Sequence, residues 1–152
     1  MKTVIVNSSK SPHQNTHRIA EEIGGVLDAE LLTPEQATPA LLGEADLIGF
    51  GSGIYLMNFD QRLKDCIRSL PNMAGHDAFV FATSGMPEPP FPHYTRRLGK
   101  LLNRQGFKVV DTFTCRGLDT WGPFGLIGGV SKGHPDDGDL AKARDFAARL
   151  LR

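Results

Sequence analysis

Five short apolar runs separated by amphipathic stretches constrain this chain more than any other feature. The runs are Thr3 to Val6, Ala29 to Leu32, Leu47 to Phe50, Ala78 to Ala82 and Val109 to Cys115. Several are apolar at consecutive positions, the pattern of strands covered on both faces. Between them Ile19, Ile23, Val26 and Leu27 recur at helical spacing. Phe59, Leu63, Cys66, Ile67 and Leu70 repeat the stripe, as do Tyr94, Leu98, Leu101 and Leu102, and finally Leu140, Ala143, Phe146, Ala147, Leu150 and Leu151. The segment "TPEQATPALLGEAD", residues 33 to 46, is the weakest helix, interrupted by Pro34 and Pro39. Strict alternation with short links predicts an α/β fold. The expected form is a doubly wound, five-stranded parallel sheet with helices on both faces.

A length of 152 residues with 40% hydrophobic content suits one domain, taken as 1–152. Seventeen Lys and Arg balance 17 Asp and Glu, so no global charge steers the chain to nucleic acid or an anionic membrane. The few apolar residues before Asn7 are too short for a secretory core or a membrane span, and the expected location is cytoplasmic. Cys66 and Cys115 lie far apart, without CxxC spacing or neighbouring ligands. They read as two reduced, buried thiols, and no metal site is expected.

Sheets of this kind bind ligands beyond the carboxyl ends of their strands, where the strand order reverses. The loops that matter are therefore those after the first, third, fourth and fifth strands. The first is "NSSKSPHQNTHRIAEEI", residues 7 to 23. Unpaired amides at the start of a helix attract an anion, and Ser8, Ser9, Ser11, His13, Gln14, Asn15 and Thr16 supply small or amide side chains around it. The competing reading is that Asn15 or Thr16 simply caps the helix. Neither GxxxxGK(S/T) nor GxGxxG occurs here, so nucleotide-triphosphate and dinucleotide loops are not indicated.

The stretch "SPHQNT", residues 11 to 16, is similar to the phosphate loop of flavodoxins, commonly Ser/Thr-x-Thr-Gly-Asn-Thr. His13 stands where a hydroxyl residue is usual and Gln14 where glycine is usual. The loop is also about two residues longer, so that Ser9 or Ser11 could take the first hydroxyl position. The resemblance extends to "GFGSGIYLMNF", residues 49 to 59, to "ATSGMPEPPFPH", residues 82 to 93, and to the tail over residues 113 to 147, and so covers nearly the whole chain. It implies the strand order 2-1-3-4-5 for the sheet, and FMN as cofactor, its phosphate in the first loop and its ring between the second and third.

On that reading Ser52, Gly53, Ile54 and Tyr55 in the second loop, and Thr83, Ser84 and Gly85 in the third, are the ring-binding candidates. Gly51, Gly53 and Gly85 would permit close backbone approach, the hydroxyls would meet ring heteroatoms, and Tyr55 could stack. Gly53 is also the candidate for presenting a backbone carbonyl to flavin N5. His93 is either a helix cap or a proton donor. Trp121 and Phe124 cover the flavin, bind a partner or seal the sheet end, and Lys132 in "GGVSKGHP" follows no strand.

The resemblance implies electron transfer through the flavin, with a redox partner protein or a small-molecule acceptor. A small FMN-dependent oxidoreductase stays open beside it: an NAD(P)H:quinone or flavin reductase, or an enzyme similar to flavodoxin-like protoporphyrinogen oxidases. A catalytic residue is not assigned. A flavin-free signalling receiver would need carboxylates at the ends of strands one and three, where Asn7 and Gly51-Ser52 stand. Carrier flavodoxins are usually acidic, whereas this chain is neutral.

Overall fold

The computed structural model describes residues 1–8, 15–55, 58–84, 94–116 and 135–151, with only the main chain at 55 and 116. In chain order the elements are β1 (Thr3–Ser8), α1 (Asn15–Leu27), β2 (Glu30–Leu32), α2 (Pro39–Gly43) and β3 (Leu47–Tyr55). They continue with β4 (Asn58–Phe59), α3 (Gln61–Arg68), β5 (Asp77–Ser84), α4 (Tyr94–Arg104), β6 (Lys108–Arg116) and α5 (Asp137–Leu150). The main sheet runs β2-β1-β3-β5-β6 and all its neighbours are parallel. This is the expected 2-1-3-4-5 order, with one short strand added. That strand, β4, pairs antiparallel with the end of β3 through Ile54↔Phe59 and Tyr55↔Asn58.

Side-chain alternation along the strands sends residues to two cores. Val4, Val6, Ile48, Phe50, Val80 and Ala82 meet α3 and α4 through Leu63, Ile67, Leu98 and Leu102. Ile5, Phe79 and Phe81 meet α1 and α5 through Ile19, Ile23, Phe146 and Ala147. The apolar stripes expected from the sequence are thus buried or half-buried where helical periodicity places them, except Leu151, which caps the end of α5 and is 55% exposed.

Three local differences from the sequence reading have physical reasons. β3 extends five residues beyond Phe50, because Gly49 and Gly51 do not break it. A Cβ at Gly49 or Gly51 would lie 2.2 Å from the ring of Phe79 or Phe81 respectively, so the aromatic rings of β5 occupy the space those side chains would take. Gly51 is therefore a packing glycine. Phe59 is core, as expected, but lies in β4 ahead of the helix; its ring meets Tyr94 edge-on at 6.1 Å. The prolines confine α2 to five residues, with Thr38 as cap accepting from the Leu41 amide and Pro39 in the first turn, where its missing N–H is no loss. Of the two free thiols, Cys66 is buried and Cys115 only half-buried.

Candidate functional site at the carboxyl edge of the sheet

The strand order reverses between β1 and β3, so the ligand position for this topology lies beyond Ser8 and Ser52, which are paired across the two strands. Gly53 pairs with Thr83 of β5, which brings the second and third loops to the same edge. Helix α1 begins at Asn15 beside this edge and has no acidic residue in its first turn, so its N-terminal dipole is not offset by a side-chain charge.

Eight polar or charged residues are buried among the described ones, and six of them gather here: Ser8, Asn15, Thr16, Ser52, Asp60 and Thr83. A buried polar group must find a partner, and the bonds show how the loops are tied together. The hydroxyls of Thr16 and Thr83 lie 2.9 Å apart and link the start of α1 to the end of β5. Ser52 donates its hydroxyl to the Gly53 carbonyl at 2.6 Å and accepts from the Asp60 amide at 3.1 Å. Ser8 donates to Asp60 Oδ2 at 2.6 Å. Each hydroxyl keeps further hydrogen-bonding capacity, since it has one donor and two lone pairs.

Asp60 joins these groups and went unnoticed in the sequence. It caps α3 by accepting from the Arg62 amide at 3.1 Å, while its Oδ2 receives Arg62 Nη2 at 2.9 Å and Nε at 3.3 Å. Burial pushes its carboxyl upward, but the hydrogen bonds from Arg62 and Ser8 and the guanidinium charge outweigh that and hold it below the ordinary carboxylate value. The signal was present as Asp60 immediately before the polar start of α3, but the apolar stripe drawn through Phe59 hid it.

Among the candidate residues, Asn15, Thr16, Ser52, Gly53, Ile54, Thr83 and Ser84 are placed at this edge. Ser9, Ser11, His13, Gln14 and Gly85 lie outside the described residues, as do the ring of Tyr55, His93, Trp121, Phe124 and Lys132. A cleft of about 300 Å³ opens beside the end of β1, lined in part by Asn7, Ser8, His17, Thr33, Gln36 and Arg62. Among the described residues no group of three or more His, Cys, Asp or Glu is placed to hold a metal ion. No helix among them is long and apolar enough to cross a membrane.

Sheet order, helix placement and a polar carboxyl edge at the reversal define a flavodoxin-like fold. Solved structures with this fold include oxidised Flavodoxin 2 from Bacillus cereus, 19% identical with a TM-score of 0.74 over 99% of this chain and 98% of that one. A flavodoxin, WrbA-like protein from Agrobacterium tumefaciens is 21% identical with a TM-score of 0.68 over 99% and 95%. In sequence, the uncharacterized protein MJ0298 of Methanocaldococcus jannaschii is 35% identical over 154 residues, covering 100% of this chain and 99% of that protein. The chain belongs to the family of that archaeal protein. No protein-family model matches it.

Proposed function

We propose that this chain is a single-domain, cytoplasmic redox protein that binds FMN non-covalently and transfers electrons through it. The observation that carries the reading is the gathering of six buried polar residues around the acid-free N-terminus of α1 at the reversal between β1 and β3. That edge fits an anionic, hydrogen-bonding cofactor better than an apolar ligand. FMN, when bound, supplies the redox chemistry.

The chain's own residues bind and orient. The α1 amides and the side chains of Ser9, Ser11, His13, Gln14, Asn15 and Thr16 would hold the phosphate. Gly53, Ile54 and Tyr55 of the second loop and Thr83, Ser84 and Gly85 of the third would hold the ring. Ser52 acts one step back. By donating to the Gly53 carbonyl and accepting from the Asp60 amide, it sets the direction of the peptide that faces the flavin. The Thr16–Thr83 bond holds the phosphate and ring loops at a fixed separation.

A second reading, a small FMN-dependent oxidoreductase, is favoured by the zero net charge, which lacks the negative field that a carrier uses to dock on basic partners. Rapid anaerobic mixing of the FMN-loaded protein with NADPH decides between them. The carrier reading expects slow bleaching of the flavin absorbance. Fast hydride transfer, complete within the first turnover, would replace it with the reductase reading.

A further inference from the structure

Helices α3 and α4 pack side by side on one face of the sheet, and together they carry seven Lys or Arg against one acid, Asp65. Because the whole chain is neutral, these two helices are strongly positive and the remainder of the sequence is negative by the same amount, with Arg62 already paired with Asp60 and Glu35 and the cations that line the groove between the helices turned away from them. The charges are ordered. Lys64 and Arg68 lie four residues apart on α3, and Arg97, Lys100 and Arg104 follow at three and four on α4, so each helix presents one cationic ridge. The α4 ridge runs about 10 Å at 1.5 Å rise per residue.

Between the ridges lies a groove of about 260 Å³, floored by Leu98 and Leu101 and ending at Asn58. Arg68 has Asp65 at 3.7 Å, whereas Lys64, Lys100 and Arg104 have no ion-pair partner among the described residues. Burial and the neighbouring Arg68 and Arg97 charges lower the Lys64 pKa, a sign that positive charge is crowded here. Like charges at these spacings weaken the helices that carry them, and a partner with opposite charge would relieve that repulsion.

We infer that the α3–α4 groove is a docking surface for a protein partner that presents a cluster of carboxylates. The cations are carried on exposed, flexible side chains along two helix flanks and not gathered round a helix N-terminus. That arrangement suits an extended acidic face better than a single phosphate. The negative remainder of the chain opposes wrapping by nucleic acid or lying flat on an anionic bilayer. Asn58 pairs with Tyr55 at the end of β3, so a partner seated in the groove lies against the second loop of the candidate site. The inference stands on charge and geometry and does not require bound flavin.

A fluorescein-labelled decaglutamate peptide, titrated with the full-length protein at low salt and followed by anisotropy, provides the test. Saturable binding is expected, weakened about tenfold or more by Lys100→Glu with Arg104→Glu and relieved by added salt. Lys108→Glu with Lys142→Glu, away from the groove, should leave it nearly unchanged. Lys100→Gln with Arg104→Gln gives a smaller loss in the same direction and replaces the reversal if that variant fails to fold. Equal loss in the two charge-reversed proteins, or no loss at the groove, would overturn the assignment. Tighter binding of a short DNA duplex than of the peptide at the same salt would also overturn it, in favour of nucleic acid.

Discussion

Replacing Asp60 by Asn removes one negative charge while keeping the shape of the side chain. The amide oxygen can still cap α3 by accepting from the Arg62 amide, since Asn and Asp cap about equally well. The amide nitrogen then faces the Arg62 guanidinium in place of the Oδ2 acceptor. Arg62 is half exposed, so the lost ion pair is worth only about 0.2 to 1 kcal/mol. The charge-assisted bond from buried Ser8 is weakened as well, and the total comes to about 1.5 kcal/mol.

Asp60→Ala goes further. It removes the cap, worth about 1 kcal/mol, and leaves the Ser8 hydroxyl without its acceptor, at about 1 to 3 kcal/mol. At about 2 to 4 °C per kcal/mol for a chain of this size, Asn should lower the melting temperature by roughly 3 to 6 °C and Ala, at about 2 to 4 kcal/mol, by roughly 4 to 16 °C. The carboxyl titrates below its ordinary value of 3.8 in the fold, so its contribution is fully present above the unfolded value and is lost as pH falls through the folded one. The gap between wild type and Asp60→Asn should therefore be constant at neutral pH and narrow below about pH 4. Thermal melts by circular dichroism across pH measure this. A gap under about 1 °C at pH 7, or one that widens in acid, would refute the reasoning.

Thr16→Val keeps the shape but breaks the bond to Thr83, and should cost about 1 to 2 kcal/mol in the melt while weakening FMN more than riboflavin. Unchanged FMN affinity with reduced stability would make Thr16 a purely structural tie. Gly51→Ala drives a Cβ into the Phe81 ring and should destabilise by about 1 to 3 kcal/mol or prevent soluble expression. Gly25→Ala in α1 meets nothing within 4 Å and should raise stability by about 0.5 to 1 kcal/mol, so equal melting temperatures for the two would contradict the packing account. Burial, with Asp139 and Asp136, pushes the Cys115 thiol up to about 12, and burial with Glu35 raises Cys66. Neither should react promptly with a disulfide reagent at pH 7 until the protein is unfolded, and rapid labelling of the native chain would show the thiols to be more accessible than placed.

The strands, the helices and both cores follow from apolar periodicity, because a strand buried on two faces and a helix buried on one leave different patterns in the chain, whereas the strand order came with the flavodoxin resemblance. Strand lengths were less legible. The third strand was expected to end at Phe50, with Gly51 read as a site of close backbone approach, yet the rings that fill the space at Gly49 and Gly51 come from Phe79 and Phe81, some thirty residues away, and no local pattern reports that contact. β4 is two residues long and has no periodicity to detect. At the site, the small polar residues after β1, β3 and β5 marked the correct edge, whereas their bonding did not show. That Ser52 turns back to Gly53 and Asp60, and Thr16 to Thr83, depends on register across three parallel strands. The basic face of α3 and α4 was hidden for another reason: a net charge of zero averages a positive side against a negative one.

The central claim, that the polar edge beside α1 receives the phosphate of FMN, is tested most directly by titrating the purified apoprotein with FMN and with riboflavin, following flavin fluorescence. Riboflavin has the same ring and ribityl chain but no phosphate. Several charge-assisted hydrogen bonds, each worth roughly 1.5 to 3 kcal/mol, should separate the two ligands by orders of magnitude in Kd, with one FMN bound per chain. Comparable dissociation constants, or no saturable FMN binding, would contradict the account.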